Sequence, residues 1–272
     1  MKEMTLHEIQ IKSLDILKDV HSFCESNDIK YSLAYGTLIG AVRHKGFIPW
    51  DDDIDIIMPR PDFERFCQEF QSSMGYTLYA PEDSKSYLTF ARVCDNNQTF
   101  VETKFPWCAE PTGVWIDIFP LDGVPSDIDE FAVFVKRIRK LMLKELRTRW
   151  TKLMFFSHLR GIKEKVFYVI KNIIFWNYSI SSLVHEHIQQ IKVNKYDDMD
   201  YYGQLCVMDY PEKEHNPKDD FRYCVKMLFC DSEFYVMNGY DNFLKRYYGN
   251  YMELPPEEER VPPQSEFKFY WK

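Results

Sequence analysis

Between Gly36 and Ile56 the chain reads GTLIGAVRHKGFIPWDDDIDI, which sets four carboxylates in the five positions from Asp51 to Asp55. Crowded like charges repel, so such a stretch must either stay in solvent or meet a cation. The run Asp53-Ile54-Asp55-Ile56 alternates acid and apolar, and Ile57 and Met58 carry it inward. In a strand, alternate side chains share a face. Asp53 and Asp55 then line one face, Asp51 joins them if the extended form starts there, and Asp52 turns away. The plain alternative is a solvated acidic turn after Pro49-Trp50. The apolar continuation instead places the acids at the mouth of a core strand, where hard oxygen donors suit Mg²⁺ or Mn²⁺.

At 272 residues, 45% apolar and 17% aromatic, the chain holds one large domain or a domain with a substantial insertion. A net charge of −8 argues against nucleic acid as a partner. The opening segment is mixed and polar, and no run of 18 uncharged apolar residues occurs, so neither a secretory leader nor a transmembrane helix is expected. The seven scattered cysteines form no CxxC pair and read as reduced cytosolic thiols.

Around the acid stretch, a packing helix is expected over Leu6–Ser26. A strand over Tyr31–Tyr35 feeds the Gly36 turn, and Thr37–Val42 begins a short helix. Gly36 would admit a ligand close to the backbone, and helix-start amides attract phosphate. Arg43, His44 and Lys45 either hold phosphate oxygens or cap the helix dipole. A helix over Arg60–Phe70, strands over Tyr76–Tyr79 and Leu88–Cys94, and a loop at Phe105-Pro106-Trp107 follow. Arg92, inside a strand, either pairs with an acid or meets a substrate phosphate. Gly113–Leu121 is a core strand carrying Asp117, which is costly to bury alone; it either pairs structurally or completes a metal site with Asp53 and Asp55.

The composition shifts near Asp129. From Lys136 to Lys171 there are twelve Lys or Arg against two Glu, and the segment is interleaved with aromatics such as Trp150, Phe155 and Phe167, with Trp176 just beyond. Helical pieces of this kind suit an anionic membrane surface or an anionic polymer, or else are solvated faces whose basic stems cover apolar surface. We read residues 129–198 as a helical basic insertion broken near Gly161 and Asn177, between a catalytic core at 1–128 and a segment at 199–272 that returns to the core. In that last segment a strand over Tyr201–Tyr210, an apolar return over Phe221–Phe229 and a helix over Tyr240–Tyr248 ending at Gly249 are expected. The fold class is α+β: a mixed β-sheet core flanked by helices.

Carboxylates on two strands beside a glycine turn describe a phosphoryl-transfer site. Gly36-Thr37, Asp53-Ile54-Asp55 and Asp117, in that order, resemble the nucleotidyltransferase superfamily. The longer motifs AYGTLIGAVRHKGFIPWDDDIDIIMPRPDFERF, GVWIDIFPLD and YDNFLKRYYGNYMELPPEEER resemble the LicD family. That family is best known for moving phosphocholine from CDP-choline onto glycans of teichoic acid or lipooligosaccharide. It is related to the fukutin-related proteins, which move ribitol phosphate from CDP-ribitol.

The resemblance implies a nucleotidyltransferase-like core and Asp53 and Asp55 as the main ligands of Mg²⁺ or Mn²⁺, with Asp51 assisting. Asp117 is then the third ligand and the group that draws the proton from the acceptor hydroxyl. Gly36 and Thr37 meet the donor's phosphates, with Arg43, His44, Lys45 and Arg92 as further contacts. The implied partners are a CDP-choline or other CDP-alcohol donor and a glycan or lipid-linked oligosaccharide acceptor. The implied location is cytoplasmic, peripheral at the inner face of the plasma membrane. Trp50 packs rather than stacks on a base, and Cys230 stands where relatives are expected to carry an acid. A choline head group calls for an aromatic cage, whose members the sequence does not identify. Two alternatives stay open: a nucleotidyltransferase releasing pyrophosphate, and a non-catalytic membrane-associated module.

Overall fold

The computed structural model describes residues 1–81, 83, 86–103, 107–108, 110–153, 161, 163, 165–166, 168–170, 179–207, 210–261 and 267–272. A short strand β1 (Lys2–Glu3) precedes helix α1 (Leu6–Ser26), whose start is fixed by a Thr5–Glu8 capping box. The stripe Ile9, Ile16, Leu17, Val20 and Cys24 faces the core. Strand β2 (Ser32–Leu33) leads into helix α2 (Tyr35–Ile39), which widens into a π-helical turn over Gly40–His44. Then come β3 (Asp55–Pro59), α3 (Arg60–Glu69), β4 (Thr77–Tyr79), β5 (Ala91–Asp95), β6 (Thr99–Thr103) and the long β7 (Val114–Val124).

Helix α4 (Ile128–Leu153) and helix α5 (Ile180–Ile191) pack on each other. The chain closes with β8 (Tyr201–Gly203), β9 (Asn216–Pro217), the hairpin β10 (Cys224–Phe229) and β11 (Ser232–Met237), helix α6 (Tyr240–Tyr248) and β12 (Phe267–Trp271).

The main sheet runs β2-β3-β7-β5-β4, with β8 and β9 joined to the far end of β7. Only β3 and β7 are parallel among its neighbours; the other pairs are antiparallel. Helix α1 lies across β5 and β7, and α3 covers β3 and β7. A second antiparallel sheet, β1-β12-β6, ties the N-terminus to the C-terminus. The expected mixed α+β class is what the chain adopts.

Several boundaries differ from expectation. The strand before Gly36 is only Ser32–Leu33, because Tyr35 turns to φ 47 and starts the helix. The acid strand begins at Asp55, so Asp51–Asp53 precede it in irregular backbone. The strand over Leu88–Cys94 shortens to Ala91–Asp95, and that over Tyr201–Tyr210 to Tyr201–Gly203. Phe221–Phe229 returns as one arm of the β10–β11 hairpin. Phe105, Pro106 and the break near Asn177 lie outside the described residues, as do Phe155, Phe167 and Trp176 of the basic insertion.

Buried ion pairs tie the helices to the ends of two interior strands. Arg60 at the start of α3 grips Asp122 at 2.8 and 2.6 Å, joining that helix to the far end of β7. Lys12 of α1 meets Asp95 of β5 at 3.2 Å. One-partner loss in such a pair strands a buried charge, at a cost of about 3–5 kcal/mol.

Candidate active site

The site is built where β3 and β7 run side by side. Asp55 and Asp117 are register partners on these parallel strands, and Arg92 of β5 is the register partner of Asp117 on its other side. Adjacent partners share a face, so the three side chains form a row across three strands. Thr37 pins the start of the row: its Oγ1 accepts from the Asp55 N–H at 2.9 Å. The Asp117 N–H donates to the Ile54 carbonyl at 2.9 Å. The strand alternation thus keeps Ile54 and Ile56 fully buried and turns Asp55 to the site.

Ahead of the strand, the carboxylates of Asp51, Asp52 and Asp53 each offer an oxygen within 4.8 Å of the others. Asp52 therefore joins its neighbours rather than turning away. Strict alternation fails here because regular strand geometry starts only at Asp55. The Gly36 turn presses on the same cluster: a Cβ there would sit 2.7 Å from Asp51 Oδ2. Trp50 packs against the core, as expected.

The electrostatics are those of acids short of counter-charge. Burial, then Asp117 and Asp51, push Asp55 well above the usual carboxylate range, with Arg92 opposing. Solvent reaches Asp53 from the cavity, yet enclosure and the charges of Asp55, Asp51, Asp52 and Asp117 push it up as well. Asp51 and Asp52 are raised by burial. Among the described residues no Lys or Arg lines the cavity that these acids face.

Arg92 takes the first of its two expected roles. Its Nε donates to Asp117 Oδ1 at 2.5 Å and its Nη2 to Oδ2 at 3.1 Å. The guanidinium lies 4.4 Å from the Trp107 ring and 4.3 Å from the Trp115 ring, whose centroids are 5.8 Å apart, so it sits in the corner that the two indoles make. A fork held this way fixes the rotamer of Asp117.

The neighbouring basic residues go elsewhere. Arg43 donates Nη1 to the carbonyls of Tyr251 and Glu253, at 2.8 and 3.1 Å, and Nε to His44 Nε2. Lys45 ends the π-helical turn at φ 59. None of Arg43, His44 and Lys45 lines the cavity, and neither does Thr37. The wide π turn rotates the basic residues toward the C-terminal segment. Gly36 does line it.

The cavity holds about 340 Å³. Asp51, Asp53, Asp55 and Gly36 form one wall, and Tyr35, Phe119, Tyr247 and Tyr248 form another. Between them sits Glu214, 4% exposed, whose Oε2 accepts from the Gln204 N–H at 2.7 Å. Burial pushes its carboxyl up to about 8. Sequence reasoning missed Glu214, which lies in an unremarkable PEKEHNP run and reaches the site only because β8 and β9 fold back on β7. Tyr247 and Tyr248 had a signal, since they fall inside the third motif, but nothing local aims them at the acids.

The family model described as LicD/FKTN/FKRP, nucleotidyltransferase domain, matches residues 28–148. The chain is 35% identical to the lipopolysaccharide cholinephosphotransferase LicD of Haemophilus influenzae, over 96% of this chain and 97% of that protein. It is also 36% identical to an uncharacterised Rickettsia typhi protein, over 35% of this chain and 30% of the other. An uncharacterised protein of Rickettsia prowazekii is 42% identical over 23% of this chain and 24% of its own. The first motif, with Asp51 to Asp55, and the second, with Asp117, both fall inside the matched region. With similarity running through nearly the whole of both chains, this protein belongs to the LicD family.

Proposed function

We propose that the protein is a phosphotransferase that moves phosphocholine from CDP-choline to a sugar hydroxyl of a lipopolysaccharide-type glycan, releasing CMP. The observation that carries this reading is the cluster of Asp51, Asp53 and Asp55 at one wall of a cavity, with Asp117 in register behind. The curated relative's name supplies phosphocholine as the group and lipopolysaccharide as the acceptor class. The parallel β3–β7 pair with its flanking helices supports a nucleotidyltransferase-like core.

The donor set suits a divalent cation: hard oxygens, crowded, and raised in pKa for want of positive charge. Asp53 and Asp55 would hold it, with Asp51 assisting and Asp117 beside them. Mg²⁺ or Mn²⁺ there would offset the charge of the donor's diphosphate. Gly36 leaves room for the diphosphate to approach the backbone. The acceptor oxygen attacks the distal phosphorus, the bond from that phosphorus to the CMP oxygen breaks, and CMP departs with the electron pair. The hydroxyl proton passes to solvent. Protonating Asp117 would break its ion pair with Arg92, so Asp117 positions rather than removes the proton. A loose transition state asks mainly for placement and charge compensation.

The exposed face of α4 supports a site of action at an anionic membrane. Lys136, Arg137, Arg139 and Lys140 are exposed there, beside the exposed apolar Val133, Leu143 and Leu146. No helix among the described residues is long and apolar enough to cross a membrane.

The test is to incubate purified protein and Mg²⁺ with CDP-choline, CDP-ribitol and CDP-glycerol in turn. CMP release should be fastest from CDP-choline, should need a glycan acceptor, and should stop with EDTA. Preference for another CDP-alcohol would reassign the transferred group. Pyrophosphate release from a nucleoside triphosphate would replace the reaction.

A further inference from the structure

The wall of the cavity away from the aspartates is aromatic, and its rings do not stack. Tyr35 stands at 67° to Tyr247 with centroids 5.4 Å apart, and at 82° to Phe119 with centroids 6.2 Å apart. Tyr247 and Tyr248 follow at 6.1 Å. Tyr35 meets Tyr247 and Phe119 edge to face while Tyr247 and Tyr248 are tilted at 38°, so the wall presents both faces and edges to the cavity. Tyr248, 45% exposed, stands at its mouth. The acid among these rings is Glu214, nearly sealed from solvent yet lining the cavity.

A purely structural role explains part of this. Glu214 holds the Gln204 N–H, and the tyrosines pack α6 against α2. It does not explain why a carboxyl is placed in an aromatic recess of a cavity already crowded with acid. A neutral amide would accept the same hydrogen bond without the desolvation that raises Glu214. The combination of π faces and an acid in no ion pair among the described residues is chemistry that holds a quaternary ammonium, which offers no hydrogen-bond donor, binds by charge and ring quadrupole, and would favour the ionised form of Glu214.

We propose that Tyr35, Phe119, Tyr247 and Tyr248, with Glu214, seat the cationic head group of the donor's alcohol, and that this recess selects a quaternary ammonium over a neutral alcohol. The inference rests on the transfer reading above and assigns the head-group end of the same cavity. The donor then spans it, with its diphosphate at Gly36 and the aspartates and its cation among the rings.

The probe is a donor in which 3,3-dimethylbutanol replaces choline, keeping the shape but exchanging trimethylammonium for an uncharged tert-butyl group. Wild-type protein should favour CDP-choline over this isostere in kcat/KM by about tenfold or more, the worth of one or two cation–π contacts. Tyr248→Leu, at a partly exposed position, and Glu214→Gln, which keeps the acceptor for the Gln204 N–H, should each reduce that ratio toward unity. The ratio is the readout because a structural defect slows both donors alike. Equal use of both donors by wild-type protein would overturn the head-group assignment while leaving the transfer reading intact. Equal slowing of both donors in the two variants would overturn it too. If wild-type protein releases CMP from neither donor, the transfer reading falls and this inference falls with it.

Discussion

Asp55 is enclosed beside like charges, and its removal is the sharpest test. Its carboxyl is raised by burial and by Asp117, so the folded chain keeps a proton there that the unfolded chain releases near pH 3.9. Between those two values the folded state binds more protons than the unfolded one, so stability falls as pH rises. Glu214, raised from 4.5 to about 8, acts in the same direction. Metal-free protein should therefore melt at lower temperature at pH 8 than at pH 5, and Mg²⁺ should restore more stability at pH 8. Asp55→Asn should flatten this dependence, stabilise the metal-free protein at pH 8, and cut CMP release about 10²–10³-fold. Thermal melts with EDTA and with Mg²⁺ check this; a melting temperature indifferent to Mg²⁺ at pH 8 would sink the metal assignment. Arg92→Lys keeps a charge but loses the fork and the planar contacts with the Trp107 and Trp115 rings. It should cost about 1–3 kcal/mol of stability, read by denaturant titration, and slow CMP release without abolishing it. The pairing of Asp55 with Asp117 on neighbouring strands was legible in the sequence because both sit in acid-in-apolar runs, whereas the acids whose oxygens crowd together are Asp51, Asp52 and Asp53, and Asp117 lies outside the cavity lining in its ion pair with Arg92. Asp52 was not legible, because its position depends on irregular backbone that no periodicity describes. Glu214 was not, because only long-range folding brings it to the site.

At the scale of elements, the turn from β2 into α2 does the most for the site with the fewest residues. Tyr35 in left-handed backbone, Gly36 against Asp51, and Thr37 on the Asp55 N–H fasten the helix start to the acid segment at successive positions. Gly36→Ala puts a methyl 2.7 Å from Asp51 Oδ2, and a side-chain tip yields more easily than backbone. The variant should fold, displace the Asp51 carboxylate, and weaken Mn²⁺ binding about tenfold or more by calorimetry. Unchanged affinity would remove Asp51 from the ligand set. The same turn shows where element reading stops. The helix and the glycine were evident from the sequence. The widening over Gly40–His44 was not, since one extra residue per turn leaves no mark in hydrophobic spacing yet swings Arg43 from the cavity to the carbonyls of Tyr251 and Glu253. Strands β3 and β7 were legible nearly to their ends because both are buried runs. The edge β2 came out shorter than read because Tyr35 turns into left-handed backbone and starts α2, and β8, though paired on both sides by β7 and β9, ends at Gly203.

Taken as a whole, the molecule separates its charge: an acid cavity on the sheet and a basic helical face on α4, in a chain whose net charge is −8. That separation was legible as a composition shift, though the sequence alone left basic stems covering apolar surface as an equal account. The structure bears on that choice through spacing. Val133, Lys136, Lys140, Leu143 and Arg147 fall three or four residues apart along the helix and are exposed, so cations and apolar side chains share one surface, while the Arg137 guanidinium lies 5.4 Å over the buried Phe134 ring and covers it, so both accounts hold on the same helix. Val166, Val169 and Ile170 add further exposed apolar side chains in the same insertion. Such a face suits an interface where headgroups meet cations and acyl chains meet Val and Leu. Each basic residue near an anionic surface contributes about 1 kcal/mol. Replacing Lys136, Arg137, Arg139 and Lys140 with Gln should therefore lower affinity for phosphatidylglycerol vesicles by about 10²-fold or more at low salt, read by co-sedimentation. Turnover of CDP-choline with a soluble acceptor should stay within about twofold of wild type, because these residues are remote from the cavity lining. Undiminished vesicle binding would leave the basic face as a solvated surface, and the acceptor would then have to reach the cavity without help from the membrane.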